Sequence, residues 1–315
     1  MSGAPRFACL LTFAVIGFAA CGGDQQQSGE FSTLTYNVAG LPQEISQVNP
    51  EQHIPLISPL LNDYDIVLTQ EDFDWWLPEL DRLDFTNYHT RLRAMTTHPH
   101  QSARHPGPEA VGIDIEADRP VMQVGDGLGL LSRLPFDELR RIAWETCYGI
   151  ADGASDCLAM KGFGMARVEL GPRVFVDVYT LHAEAGGGPD DNASRAAGFA
   201  ELAAYIQEHS VGNAIILGGD TNLHTNADSD DPGDVEDSQV WAKFLDATGL
   251  TDVCDALECD DPGRIDKFAY RTGPDTDIEP LSWRFEVEKF QDVTGEPLSD
   301  HDALAVTWSW SDAGS

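Results

Sequence analysis

Six short polar groups stand where apolar, strand-like runs of this chain end, and their residue types are those of cation binding and proton transfer. Loops at strand ends are where sites are built on a rigid scaffold. Asn37 closes Thr35-Tyr36 ahead of Ala39-Gly40, where an Asn also serves as a turn residue. Gln70-Glu71 follows Ile66-Val67-Leu68. A carboxylate ending a buried strand is a hard oxygen ligand suited to Mg²⁺, although a Glu opening a helix has the same look. His182 ends Tyr179-Thr180-Leu181, and taken alone is equally an ordinary exposed His. In Gly218-Gly219-Asp220-Thr221-Asn222 the glycines allow close backbone approach to a ligand, while Asp220 and Asn222 project from one tight turn. Asp266 lies in Gly263-Arg264-Ile265-Asp266-Lys267, and His301 in Ser299-Asp300-His301-Asp302. A His among carboxylates is tuned for proton transfer, because nearby negative charge favours imidazolium.

The elements that must position these groups alternate between strand and helix. Strands are expected over 31–36, 65–69, 127–132, 164–170, 173–181, 214–217 and 303–308, and helices over 54–61, 195–208 and 240–247. Long loops are expected at His98 to Asp118, rich in His, Pro and Gly, and at Asn226 to Asp237, rich in Asp. The acidic loop lacks the spacing of a calcium loop and reads as solvated. No internal repeat and no long linker divides the chain, so the mixture predicts one α/β sandwich over 31–315.

The 315 residues carry 53 Asp and Glu against 19 Lys and Arg, a net charge of −34. Such a surface repels polyanions, which disfavours nucleic acid as a partner. No protein partner is implied. Residues 1–20 have the form of an export signal: Arg6, then an apolar run from Phe7 to Ala20 that is short for a membrane span. Small residues before Cys21 resemble a bacterial lipobox, which implies cleavage before Cys21 and its lipidation; release by ordinary cleavage nearby is the alternative. Residues 21–30 read as a polar tether. The expected location is therefore exported, either membrane-anchored or secreted. Four cysteines remain after Cys9 and Cys21, and an even number in an oxidising compartment suggests disulfides. Cys147 with Cys157 and Cys254 with Cys259 are the simplest of three pairings. A zinc site is the weaker rival, since neither pair has C-x-x-C spacing.

The order of the six polar groups resembles the endonuclease/exonuclease/phosphatase superfamily, whose members include deoxyribonucleases, inositol-polyphosphate phosphatases and neutral sphingomyelinases. The pattern matches at Asn37, Gln70-Glu71, His182, Gly219-Asp220-Thr221-Asn222, Arg264-Ile265-Asp266 and Ser299-Asp300-His301. A narrower likeness is to bacterial sphingomyelinase C, carried by Gln70-Glu71-Asp72-Phe73-Asp74 and by Asp156 followed by Lys161-Gly162-Phe163. Thr180-Leu181-His182 and Asp126-Gly127-Leu128 depart from that branch's Thr-His and Asn-Gly-Gly. The resemblance implies a four-layered α/β/β/α sandwich of the deoxyribonuclease type.

It also implies a metal-dependent phosphodiesterase acting on a phospholipid at a membrane surface, with sphingomyelin cleaved to ceramide and phosphocholine. A secreted Mg²⁺-dependent nuclease is the alternative. A binding protein on an inactive scaffold would want a missing anchor residue, and none is missing. The implied cofactor is Mg²⁺, with Mn²⁺ or Co²⁺ as substitutes, held by Glu71 with Asn37 beside it and Asp300 contributing. His301 is the implied base, held by Asp300 or Asp266, with Asp220 the other candidate for taking the proton of water. Asn222 would donate to phosphate oxygens, and His182 would serve as a clamp or acid for the leaving alkoxide. Trp75-Trp76 and Trp308 with Trp310 are candidate interfacial aromatics, against an ordinary role in packing.

Overall fold

Alternation along each strand decides which side chains lie between two sheets. In a computed structural model of the chain, the described residues are 26–43, 46–73, 88–107, 112, 124–151, 153–226, 229–260 and 263–313. Cys21, Asp74 and Trp75-Trp76 lie outside them. The chain begins with β1 (Ser28–Asn37), α1 (Pro50–Leu60), β2 (Ile66–Gln70), α2 (Tyr88–Arg93), β3 (His100–Gln101) and β4 (Gly129–Ser132). The middle holds β5 (Arg140–Ala143), β6 (Gly162–Gly171), β7 (Val174–His182), α3 (Pro189–His209), β8 (Ile215–Asp220) and α4 (Pro232–Thr248). The last third holds β9 (Thr251–Asp252), α5 (Val253–Ala256), β10 (Asp266–Arg271), β11 (Thr276–Phe285) and β12 (Leu304–Asp312).

The strands form two mixed sheets, in the orders β11-β12-β1-β2-β4-β3 and β5-β6-β7-β8-β10-β9. Between them lies a core of Phe31, Ile66, Leu68, Val176, Val178, Ile216, Phe268, Val306 and Trp308. The outer face of the first sheet, with Leu34, Tyr36, Val67 and Leu131, packs on Ile54 and Ile57 of α1 and Tyr88 and Leu92 of α2. The outer face of the second, with Phe163, Tyr179, Leu181 and Leu217, packs on Phe199, Leu202 and Ile206 of α3 and Trp241 and Phe244 of α4. The result is the expected α/β/β/α sandwich in a single domain. No helix among the described residues is long and apolar enough to cross a membrane.

Two expectations are corrected. The first strand starts at Ser28, where Ser28 pairs with Ser311, so 28–30 belong to the sheet rather than to a tether. The acidic loop ends sooner than its composition suggests: α4 begins at Pro232, with Asp231 as N-cap accepting from Gly233 N at 2.8 Å. Acidic residues at a helix start are favoured by the unpaired N–H groups there, so this charge serves the helix. Trp308 is fully buried and donates to Thr33 Oγ1 at 2.9 Å, while half-buried Trp310 packs against the same core. Both take the packing role that stood beside the interfacial one.

Both local disulfides form, Cys147–Cys157 and Cys254–Cys259. The first closes a loop with a sequence separation of 10. Replacing both of its cysteines by serine is expected to cost about 2–3 kcal/mol, from the chain entropy regained on unfolding. Urea unfolding of the oxidised protein and the double variant measures the difference.

Candidate catalytic cleft

The inward-facing rows of the strands run from an apolar core to a polar end. On β7 the row is Val174, Val176, Val178, Thr180, His182; on β8 it is Ile216, Gly218, Asp220. On β1 it is Phe31, Thr33, Thr35, Asn37. Register then aligns these ends: Asn37 lies opposite Gln70, His182 opposite Asp220, and Asp220 opposite Asp266. One row across each sheet therefore supplies the site. Gln70 crosses between the sheets, accepting from Thr35 Oγ1 and donating to Thr180 Oγ1, both at 3.2 Å.

Glu71 would point to the outer face if β2 simply continued. Instead its φ is 52°, and this left-handed turn brings its carboxylate back to Asn37, whose Nδ2 donates to Glu71 Oε1 at 3.1 Å. A non-glycine residue in this region is strained and persists where neighbours fix it. Gly40 makes room: its N–H donates to Glu71 O at 3.1 Å, and a Cβ there would sit 2.2 Å from that oxygen.

Asn37 is the hub. Its Oδ1 accepts from Ala39 N at 3.0 Å, which turns Nδ2 toward Glu71, toward Asp220 Oδ2 at 3.0 Å and toward His301 Nε2 at 3.4 Å. Ser299 ties the C-terminal loop to the same point, donating from Oγ to Asn37 O at 2.7 Å and accepting from His301 N at 3.2 Å. His301 Nδ1 meets Asp266 Oδ2 at 2.7 Å, and its Nε2 lies 3.7 Å from Asp220 Oδ2. Burial works against an imidazolium here, but Asp266, Asp220 and Asp300 outweigh it, so the pKa of His301 is raised to about 10. Burial also raises the Asp266 carboxyl, against the pull of His301.

His182 also converges, with Nε2 3.4 Å from Asp220 Oδ2. Burial, with Lys161 and His301 nearby, pushes its pKa well down. Such a shift favours the neutral imidazole, whose N–H can still donate toward a leaving oxygen. Asn222 has φ 49°; its backbone N donates to Asp220 Oδ1 at 3.0 Å and its Nδ2 to Ala183 O at 3.1 Å. One amide hydrogen of Asn222 thus braces the backbone rather than facing the cleft. Asp300 is exposed and accepts from Ser299 Oγ at 3.3 Å; like Glu71, it lies outside the tightest group of cation-ligand atoms, Asp220, Asp266 and His301. Asp266 takes the place beside His301 that was open to either.

Sequence reasoning gave Lys161 no role, although it quoted the residue. It is buried, ion-paired with Asp156, and its Nζ donates to Ala183 O at 3.4 Å. Burial would lower its pKa, but Asp156, then Glu71 and Asp220, keep it raised and the ammonium charged. A Lys directly before a Gly-Phe strand start, five residues after an Asp, was the available signal.

The donor set fits a hard divalent cation. Ligand atoms of Asp220, Asp266 and His301 lie within 4.8 Å of one another, and Asp266 Oδ1 is buried without a hydrogen-bond partner among the described residues. Burial raises the Glu71 carboxyl, opposed first by Lys161 and then by Asn37. Carboxylates crowded beside one another in this way gain from a dication that offsets their charge. A separate cavity of about 860 Å³, between 99–106 and 136–141, is lined by none of the converging residues.

Comparison with known proteins agrees with this fold. Residues 34–301 match the Endonuclease/Exonuclease/phosphatase family. A protein named Sphingomyelinase from Mycobacterium tuberculosis is 31% identical over 295 residues, covering 89% of this chain and 52% of the relative. The chain thus spans about half the length of the curated relatives it matches. The solved Sphingomyelinase C from Streptomyces griseocarneus superposes with a TM-score of 0.58 at 17% identity, covering 89% of this chain and 99% of that one. A Staphylococcus aureus beta toxin variant with bound magnesium ions superposes with a TM-score of 0.55 at 14% identity, covering 88% and 99%.

Proposed function

This chain belongs to the endonuclease/exonuclease/phosphatase family, and from that premise we propose that it is a divalent-metal-dependent phosphodiesterase that cleaves a phospholipid, sphingomyelin before others, releasing phosphocholine and ceramide. The observation that carries the reading is the His301 imidazole, backed by Asp266 at 2.7 Å and turned toward Asp220, Asn37 and Glu71.

Glu71 would hold the cation, with Asn37 beside it. A bound divalent cation supplies positive charge against a phosphate oxygen and against the charge that grows in the transition state. Mg²⁺ suits the oxygen-rich donors, and Mn²⁺ or Co²⁺ could replace it. His301 Nε2 takes the proton of an attacking water, while Asp266 holds Nδ1–H and so fixes the tautomer and the ring. Lys161 adds fixed positive charge toward the phosphate. Asn37 keeps Glu71 and Asp220 apart and oriented.

The base must be unprotonated to work, so activity rises with pH as His301 loses its proton. Asp266 raises that pKa. Asp266→Asn is therefore expected to move the acid limb of the kcat/KM profile to lower pH, while the plateau falls by ~10²-fold as the ring loses its orientation. A profile measured at constant Mg²⁺ checks both directions.

Export is supported by the two disulfides, which persist in oxidising compartments. Residues 1–20 would be the signal, cut before a lipidated Cys21. Substrate choice is tested by assaying the purified protein, 26–315, with Mg²⁺ on sphingomyelin vesicles, phosphatidylcholine vesicles and plasmid DNA in parallel. The expected result is phosphocholine release from sphingomyelin, suppressed by EDTA, with intact plasmid. Plasmid nicking without phosphocholine release would instead select the nuclease, a reading that the net charge of −34 disfavours.

A further inference from the structure

Directly behind Glu71 lies a buried group of charges that the proposed reaction does not use. Asp72 is buried, and its Oδ2 lies 2.6 Å from Arg93 NH1, 3.2 Å from His89 Nδ1 and 3.3 Å from Thr69 Oγ1. His89 and Arg93 stand four residues apart on one face of α2, and Arg93 NH1 also donates to His89 O at 3.2 Å. The helix itself is seated in the outer core by Tyr88 and Leu92. The backbone of Asp72 is tied as well, its N–H donating to Gly127 O at 2.9 Å. Gly127, with φ 69°, leaves space that a Cβ would take from Glu71 Cα at 3.1 Å and from the Phe73 ring at 2.8 Å.

Glu71 is thus held from both sides. Val38 N donates to Gln70 O at 3.0 Å and Gly40 N to Glu71 O on one side; Asp72 is anchored on the other. Glu71 holds a strained left-handed φ between these two anchors, and releasing either would let φ relax and swing the carboxylate away from Asn37. We propose that Asp72, gripped by Arg93 and His89, is a positioning residue: it fixes the turn that aims Glu71 at the cation. Outer groups that orient a ligand commonly carry 10–100-fold of metal affinity. This inference rests on Glu71 being the cation ligand proposed above.

The test is Mn²⁺ binding by titration calorimetry without lipid, paired with turnover across Mn²⁺ concentrations. Asp72→Asn is expected to raise the Kd for Mn²⁺ by ~10-fold or more, with turnover recovered to within about three-fold of wild type once Mn²⁺ saturates. Glu71→Gln is the reference, losing turnover that no Mn²⁺ concentration restores. Should Asp72→Asn fail to fold, Arg93→Lys keeps a buried cation but loses the planar fork, and a Kd shift of about 3–10-fold is expected. An Asp72→Asn or Arg93→Lys protein that binds Mn²⁺ within two-fold of wild type, while Glu71→Gln does not, overturns the positioning role alone. Wild-type Mn²⁺ affinity in Glu71→Gln overturns the ligand assignment beneath it.

Discussion

Replacing His301 by alanine is expected to lower kcat by at least ~10²-fold with the fold intact. The imidazole stands among Asn37, Asp220 and Asp266, where the proposed reaction needs its base. Asp266 secures its Nδ1 at 2.7 Å, and its Nε2 faces the Asn37 amide at 3.4 Å. Its side chain is part-exposed at the cleft, so truncation opens no sealed cavity. The structural cost falls on Asp266, which is buried and loses its cationic partner. Its carboxyl, already raised by burial, then rises further, and protonation limits the damage. Circular dichroism should therefore stay near wild type while turnover collapses. A His301→Ala enzyme within five-fold of wild-type kcat would refute the base assignment.

The parts of this architecture legible in the sequence were those whose pattern is local. Val174 to His182 is a run rich in Val and aromatic residues closed by a polar residue, and Ile215 to Asp220 is an apolar run stopped by one, so strand and site residue could be read together. β11 was missed because Asp277, Glu279 and Arg284 give an edge strand a polar look, and Pro280 marks a register shift before Ser282. α3 was placed too late because its first turn is Pro189-Asp190-Asp191, residues that favour a helix start without apolar spacing.

At the cleft, which side chains meet was legible and how they meet was not. Whether His301 leans on Asp266 or Asp300 depends on how the 299–301 loop meets β10, which no spacing reveals. That Asn222 spends an amide hydrogen on Ala183 O follows from register between β7 and β8. The downward pKa shift of His182 comes first from how deep it lies, and burial depth belongs to the assembled sandwich.

Exchanging Glu71 for Gln separates catalysis from stability, and the two effects should have opposite signs. In the protein without metal, Glu71 is a carboxylate whose pKa is raised by burial, so its ionised form is disfavoured by folding at neutral pH. The sign follows directly: a carboxylate with a raised folded pKa loses stability as pH climbs through the unfolded and then the folded value. Gln has the same shape and can still accept from Asn37 Nδ2 without the buried charge. Glu71→Gln should accordingly melt no lower than wild type in EDTA, and higher if the charge is fully felt. Adding Mg²⁺ reverses the order, because a cation that binds only the folded state stabilises wild type in proportion to the logarithm of its concentration, and the variant gains little. Turnover should fall by ~10³-fold, the equivalent of losing several kcal/mol of charge stabilisation in the transition state. Melting curves with EDTA and with Mg²⁺, beside initial rates on sphingomyelin vesicles, test the pair of signs together. A variant destabilised in EDTA, yet still stabilised by Mg²⁺ as strongly as wild type, would show that Glu71 serves the fold and that the cation is held elsewhere.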